Sequence, residues 1–181
     1  MTGPSAMSED FKTDFFDLFG LPRAFDVGDD LDQRYLSLQS ATHPDRHANA
    51  GDAARRLALQ WATRLNEAYG TLRDPLRRAR YLLELRGASI DELDTRIANE
   101  FLAEQMTWRE AIDVAREAAD MPELERLLGT LRRERSARLE RLGALLDQGT
   151  GDAEAAEQLR QLMFFDKLER SIDDALAALE G

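Results

Sequence analysis

The placement of proline constrains this chain more than any other feature. Proline holds φ near about −65° and has no N–H to donate, so it stands at helix starts or just past helix ends and seldom inside them. Four of the five prolines, Pro22, Pro44, Pro75 and Pro122, separate stretches whose apolar residues recur three and four apart. That spacing puts side chains on one helix face. Between the prolines, Leu, Ala, Arg and Glu dominate and β-branched residues are scarce, a composition that favours helix over strand. There is no sustained alternation, no Asn-Gly or Asp-Gly turn between β-branched runs, and no internal repeat. The pattern predicts an all-α fold.

The same punctuation predicts each helix. Asp14 to Phe19 forms a short apolar helix stopped by Gly20 and Pro22. A second helix opens with Asp30 as N-cap and Gln33 three residues on, an Asp-headed capping box, and turns Leu31, Tyr35 and Leu38 inward. Pro44 ends it, because the residue before a proline is pushed out of the helical region. A loop runs through Gly51. A third helix starts near Asp52, with Leu57, Trp61, Leu65, Ala68 and Leu72 on one side. Asp74-Pro75 stops it and starts a fourth, which runs through Tyr81, Leu82 and Leu85 to Gly87. Residues 1–10 read as a disordered leader, 11–87 as a first domain and 88–97 as a linker. Three long helices, at 98–119, 122–147 and 152–179, make residues 98–181 a three-helix bundle.

Composition limits the function. Cysteine is absent, which excludes disulfides, thiolate nucleophiles and Cys-ligated metal. No apolar run approaches the roughly 20 residues that span a bilayer. The opening MTGPSAMSED lacks the basic and apolar regions of an export signal. A cytoplasmic protein without a membrane partner is expected. The net charge is −11. Residues through Gly87 hold 12 basic and 13 acidic side chains; those beyond hold 12 and 22, a balance of −10. That surplus argues against a nucleic-acid partner.

One stretch, ATHPDRH from Ala41 to His47, crowds its titratable groups around a proline and holds the only two histidines, His43 and His47. On a continuous helix residues four apart would share a face and could ligate a metal. Pro44 breaks that helix, and no third strong ligand lies nearby. No nucleophile motif or glycine-rich cradle accompanies the histidines. No metal site, cofactor or enzymatic activity is therefore expected. A plain helix-ending loop satisfies the composition, with His47 a solvated loop residue.

The arrangement narrows this further. His43-Pro44-Asp45 lies between two amphipathic helices, with a short helix ahead and a fourth behind. It resembles the J domain, a helical hairpin whose connecting loop carries this tripeptide, and matches it residue by residue. FFDLFGLP (Phe15 to Pro22), LNEAYGTLRDPLRRARYLLELRG (Leu65 to Gly87), FLAEQMTWREAI (Phe101 to Ile112) and FFDKL (Phe164 to Leu168) resemble the HscB-type co-chaperones of iron–sulfur cluster assembly. The likeness covers nearly the whole chain beyond residue 10. It implies an adaptor that does no chemistry itself. Its J domain would stimulate ATP hydrolysis by a DnaK-type, HscA-like chaperone, and its bundle would deliver the iron–sulfur cluster scaffold protein to it. The chaperone contacts would be His43, Pro44 and Asp45 with Arg34 and Arg46. The scaffold contacts would be Leu102, Ala103, Met106, Glu110 and Phe164, and the free chain would be a monomer. The alternative is an all-helical interaction module whose tripeptide is accidental.

This chain departs from the J pattern in one respect. J domains generally carry a basic face on the second helix. Here residues 29–42 hold Arg34 alone, against Asp29, Asp30 and Asp32. Arg46, Arg55 and Arg56 are the replacements at hand. Thr42 also stands where many J domains carry Tyr.

A helical wheel tests the second surface without the resemblance. At about 100° per residue, Phe101, Trp108, Ile112, Ala115 and Ala119 form a core stripe, and Leu102 and Met106 fall roughly 100–140° away. In the last helix Leu162, Phe165, Leu168, Ile172, Leu176 and Leu179 define the core side. Phe164 points about 120° off it, and Met163 farther. The off-core residues predict one of two things: an exposed apolar patch, the usual mark of a binding site, or a wide helix face that buries them within the bundle or against the first domain. Arg132, Arg133, Arg135, Arg138 and Arg141, interspersed with Glu134 and Glu140, predict a solvated, ion-paired face. Arg77, Arg78 and Arg80 predict a smaller basic surface cluster. Trp61 and Trp108 are expected as core anchors.

Overall fold

The computed structural model describes residues 13–42, 51–88, 99–149 and 151–180. These hold seven helices and no strand: α1 (Phe15–Phe19), α2 (Leu31–Thr42), α3 (Asp52–Arg73), α4 (Pro75–Leu85), α5 (Asn99–Glu117), α6 (Met121–Gln148) and α7 (Asp152–Glu180). The leader and nearly all of the 88–97 linker lie outside the described residues.

The breaks follow from local chemistry. The Asp74 carboxylate accepts the backbone N–H groups of Leu76 and Arg77, both at 2.9 Å. With Pro75 leading α4, the chain cannot continue the ladder of α3. Asp120 caps α6 through the N–H of Glu123, with Pro122 in the first turn. Two expectations are corrected here. Helix α5 stops at Glu117, and Ala119 takes a left-handed φ of 52°, so Ala119 is exposed and leaves the core face assigned to it. Asp30 spends its carboxylate on Arg34, accepting from Nε at 2.8 Å, where the capping box had set it against Gln33.

The chain divides into two compact units, Met1–Arg78 and Ala79–Gly181, and the division falls inside α4. In the first unit, α1 packs on α2 and α3. Phe15, Phe16, Phe19 and Leu31 are buried with Leu65, Ala68 and Leu72 of α3. Helix α2 buries little besides Leu31. Its grip on α3 is instead polar and aromatic. Tyr35 stacks on Tyr69 with ring centroids 4.0 Å apart. The Tyr35 hydroxyl donates to Asn66 and the Tyr69 hydroxyl to Asp32. Trp61 is half-buried. The basic cluster on α4 is mostly occupied: Arg78 lies 4.9 Å over the Phe25 ring, and only Arg77 is fully exposed.

The second unit has a deep apolar core. Phe101, Trp108 and Ile112 of α5 meet Leu124 and Leu131 of α6 and Phe165, Leu168 and Ile172 of α7. Ala79, Leu82 and Leu83 of α4 are buried too. The arginine run of α6 differs from expectation in where its partners stand. Arg132 pairs with Glu169 at 2.6 Å, Arg135 with Asp166 at 2.7 Å and Arg138 with Glu104 at 2.5 Å. These acids belong to α7 and α5, so these three arginines brace the bundle from helix to helix, while Arg133 bonds to Thr130 on its own helix. Arg138 also lies 4.7 Å over the Phe165 ring, roofing the core.

Candidate functional site

The tripeptide His43-Pro44-Asp45, with Arg46 and His47, lies outside the described residues. Its two flanks are described. Helix α2 ends at Thr42, whose hydroxyl donates to the Leu38 carbonyl at 2.9 Å. Helix α3 resumes at Asp52 after Gly51, whose φ of 87° suits glycine alone. The Tyr35–Tyr69 zip fixes both helices, and so holds the ends of the segment between them.

Arg34 is largely spent on the fold. Its Nη1 donates to the carbonyls of Phe19 and Gly20 at 2.8 and 3.0 Å, and its Nε to Asp30. It ties the end of α1 to α2. Hydrogen bonding from Arg34 holds the Asp30 carboxyl below its ordinary range. Arg55 and Arg56, on the first turn of α3, are exposed.

The second surface lies on α5. Leu102 is 49% exposed and Met106 65%. Ala103 and Glu110 are exposed beside them. Four of the five residues expected to bind the scaffold thus share one open helix face. The fifth corrects the wheel: Phe164 is only 8% exposed and belongs to the core. It meets Phe101 edge-on at 5.7 Å and Phe165 at 6.3 Å. The reason is that α7 packs against both α5 and α6, so its buried arc is wider than a single-face wheel allows. Sequence reasoning passed over Val114, which is 62% exposed two turns beyond Met106; an apolar residue among polar ones was its signal. The helical wheel sets Arg109 beside the Leu102 and Met106 strip, but not its guanidinium 5.4 Å over the Phe164 ring.

Among the described residues no group of three metal-binding side chains comes together. None of their helices is long and apolar enough to cross a membrane.

Comparison with known proteins fits this layout. A family model described as the HSCB C-terminal oligomerisation domain matches residues 98–173. The co-chaperone protein HscB homolog of Ralstonia nicotianae is 51% identical over 167 residues, covering 91% of this chain and 95% of that protein. The chain belongs to the HscB family of J-domain co-chaperones. The HscB homolog of Burkholderia mallei is 52% identical over 171 residues, covering 93% and 97% of the two chains. Solved structures agree. Chaperone HscB from Vibrio cholerae superposes with a TM-score of 0.82 at 34% identity, over 92% of this chain and 99% of that one. Human co-chaperone protein HscB gives 0.84 at 26% identity, over 96% and 93%. The HscB resemblance read from the sequence therefore stands, as does the all-α fold.

Proposed function

We propose that this HscB-family chain couples two proteins. Its J domain, residues 11–87, stimulates the ATPase of a DnaK-type, HscA-like chaperone. Its bundle, residues 98–181, presents the iron–sulfur cluster scaffold to that chaperone and so aids cluster transfer. The observation that carries the reading is His43-Pro44-Asp45 set between the end of α2 and the start of α3, in a chain 51% identical to an HscB relative. Pro44 stiffens the segment at a fixed φ and lowers the entropy lost on docking. Asp45 offers a carboxylate that an arginine of the chaperone can grip bidentately. The His43 ring offers one donor and one acceptor nitrogen. With Arg34 engaged by α1, the positive charge that steers the chaperone falls to Arg46, Arg55 and Arg56.

On the bundle, exposed Leu102 and Met106 supply the apolar centre of the scaffold site, and Ala103 and Glu110 its margin. Phe164 supports the site from beneath. Methionine adapts to a partner's shape, and buried anchors of this kind dominate interface energetics. The reading places the protein in the cytoplasm, as a monomer when free. The test is ATP turnover by a purified DnaK-type chaperone. His43→Gln or Asp45→Ala should abolish stimulation with the melting temperature unchanged. A folded variant that still stimulates at the wild-type rate would contradict the proposal.

A further inference from the structure

Most arginines of the second unit have an acidic partner. Arg86 pairs with Asp152, Arg116 with Asp113, Arg126 with Glu123 and Arg160 with Glu157, besides the three interhelical pairs of α6. Arg109, like Arg141 and Arg170, makes no ion pair and no hydrogen bond among the described residues; unlike them, it has its guanidinium laid over an aromatic ring, that of Phe164. It is exposed and follows Leu102 and Met106 at spacings of seven and three. At about 100° per residue these three lie within an arc of roughly 60°. The α5 face therefore carries an unpaired guanidinium in line with two exposed apolar side chains, Leu102 and Met106.

We infer that Arg109 is the receptor for a carboxylate on the docked scaffold protein, an Asp or Glu set beside an apolar side chain. The inference rests on the reading of this face as the scaffold site. The aromatic ring holds the guanidinium by one face and leaves its edge N–H groups free. That edge matches the two oxygens of a carboxylate. Little side-chain freedom remains to be lost on binding, because the ring has already placed the group. When a partner covers Leu102 and Met106 it also excludes water around Arg109, which strengthens attraction to an opposite charge. Two acids stand near. Asp113 is taken by Arg116 at 2.6 Å. Glu110 is exposed and lies about 100° round the helix from Arg109, where it faces a different part of the partner. The burial of Phe164 acquires a purpose here: the ring serves the site by positioning a cation.

Titration calorimetry of purified iron–sulfur cluster scaffold into the full chain tests this. Leu102→Ala with Met106→Ala establishes the surface and should weaken binding more than tenfold. Arg109→Gln keeps the length and loses the charge; it should raise Kd about tenfold with an unchanged melt. Arg109→Lys keeps the charge without the planar fork and should fall between. The Kd of wild type should rise with salt more steeply than that of Arg109→Gln. An Arg109→Gln chain that binds as well as wild type, while the Leu102/Met106 variant does not, overturns the carboxylate receptor and leaves the surface standing. Weakened binding with an unaltered salt dependence also overturns it, since only the packing of the stem would then matter. If the Leu102/Met106 variant binds normally, the surface reading itself fails.

Discussion

The two units hold themselves together by different means. In the second, α7 buries Leu159, Leu162, Phe165, Leu168 and Ile172 along its length, and α6 meets it with Leu124, Leu131, Leu142 and Leu146. Its arginines reach across to acids on other helices. In the first, α2 buries Leu31 alone and leaves Leu36 60% exposed, while α3 leaves Leu59 60% exposed. The ion pairs there are local, Arg23 with Asp14 and Asp17 and Arg34 with Asp30. A thin hairpin is enough to hold the ends of one short segment at a fixed separation. A patch of side chains on a single helix needs that helix rigidly backed, and the bundle backs it.

The largest effect should appear where the bundle core is cut. Phe165→Ala, at a fully buried site, should cost about 3–5 kcal/mol through the lost contacts and the cavity. Tyr35→Ala in the hairpin should cost only about 0.5–1.5 kcal/mol beyond its small burial, the worth of an aromatic pair. Denaturant titration of both variants measures the contrast; equal losses would erase it. Phe164→Ala should behave like the core variant, so it cannot serve as a clean test of binding.

The next effect separates stability from binding within the bundle. Leu102→Ala with Met106→Ala should lose about 2 kcal/mol or more of scaffold affinity, while stability moves by no more than about 0.5 kcal/mol per site. Melting curves run beside the titration decide it. A large drop in melting temperature would show that these side chains are packed.

A smaller effect belongs to the first unit. Asp14 caps α1 by accepting the N–H of Asp17 at 2.9 Å and pairs with Arg23 at 2.5 Å. Burial pushes its carboxyl up, but the hydrogen bonds from Asp17 and Arg23 outweigh this and leave it below the ordinary range. A lowered value means that the folded state favours the ionised form. The stability it contributes is complete above the ordinary carboxylate value of about 3.9 and is lost as pH falls through the lower folded value. Asp14→Ala should cost about 1 kcal/mol near neutral pH and flatten the acid dependence of α1, as followed by amide exchange. The smallest effect should come from Arg116→Ala. Its exposed pair with Asp113, three residues apart on one helix, is worth at most about 0.5 kcal/mol.

What could be read in the sequence was what short-range chemistry decides. Pro75, Pro122, Asp74 and Asp120 fix helix ends through neighbours two or three residues away, and the observed α3, α4, α6 and α7 begin within a residue of the positions read from them. Leu102 and Met106 could be placed off the core because only the helical period was needed. Phe164 could not, because its burial depends on how many helices α7 touches. The acids that meet Arg132, Arg135 and Arg138 were hidden for the same reason: they lie from 31 to 37 residues away on other helices, and charge spacing within α6 points to Glu134 and Glu140 instead. Arg34 shows a third limit. Its spacing from Asp30 was visible, but its bonds to the end of α1 depend on how α1 packs.

The central claim is that one chain carries two separable contacts, and chaperone ATP turnover measured with and without scaffold tests it most directly. Wild type should stimulate turnover alone and more strongly with scaffold present. Asp45→Ala should stimulate in neither condition. Leu102→Ala with Met106→Ala should keep the stimulation seen without scaffold and lose only the increment that scaffold adds. If the α5 variant loses both, or Asp45→Ala loses neither, the two surfaces do not divide the work and the account is wrong.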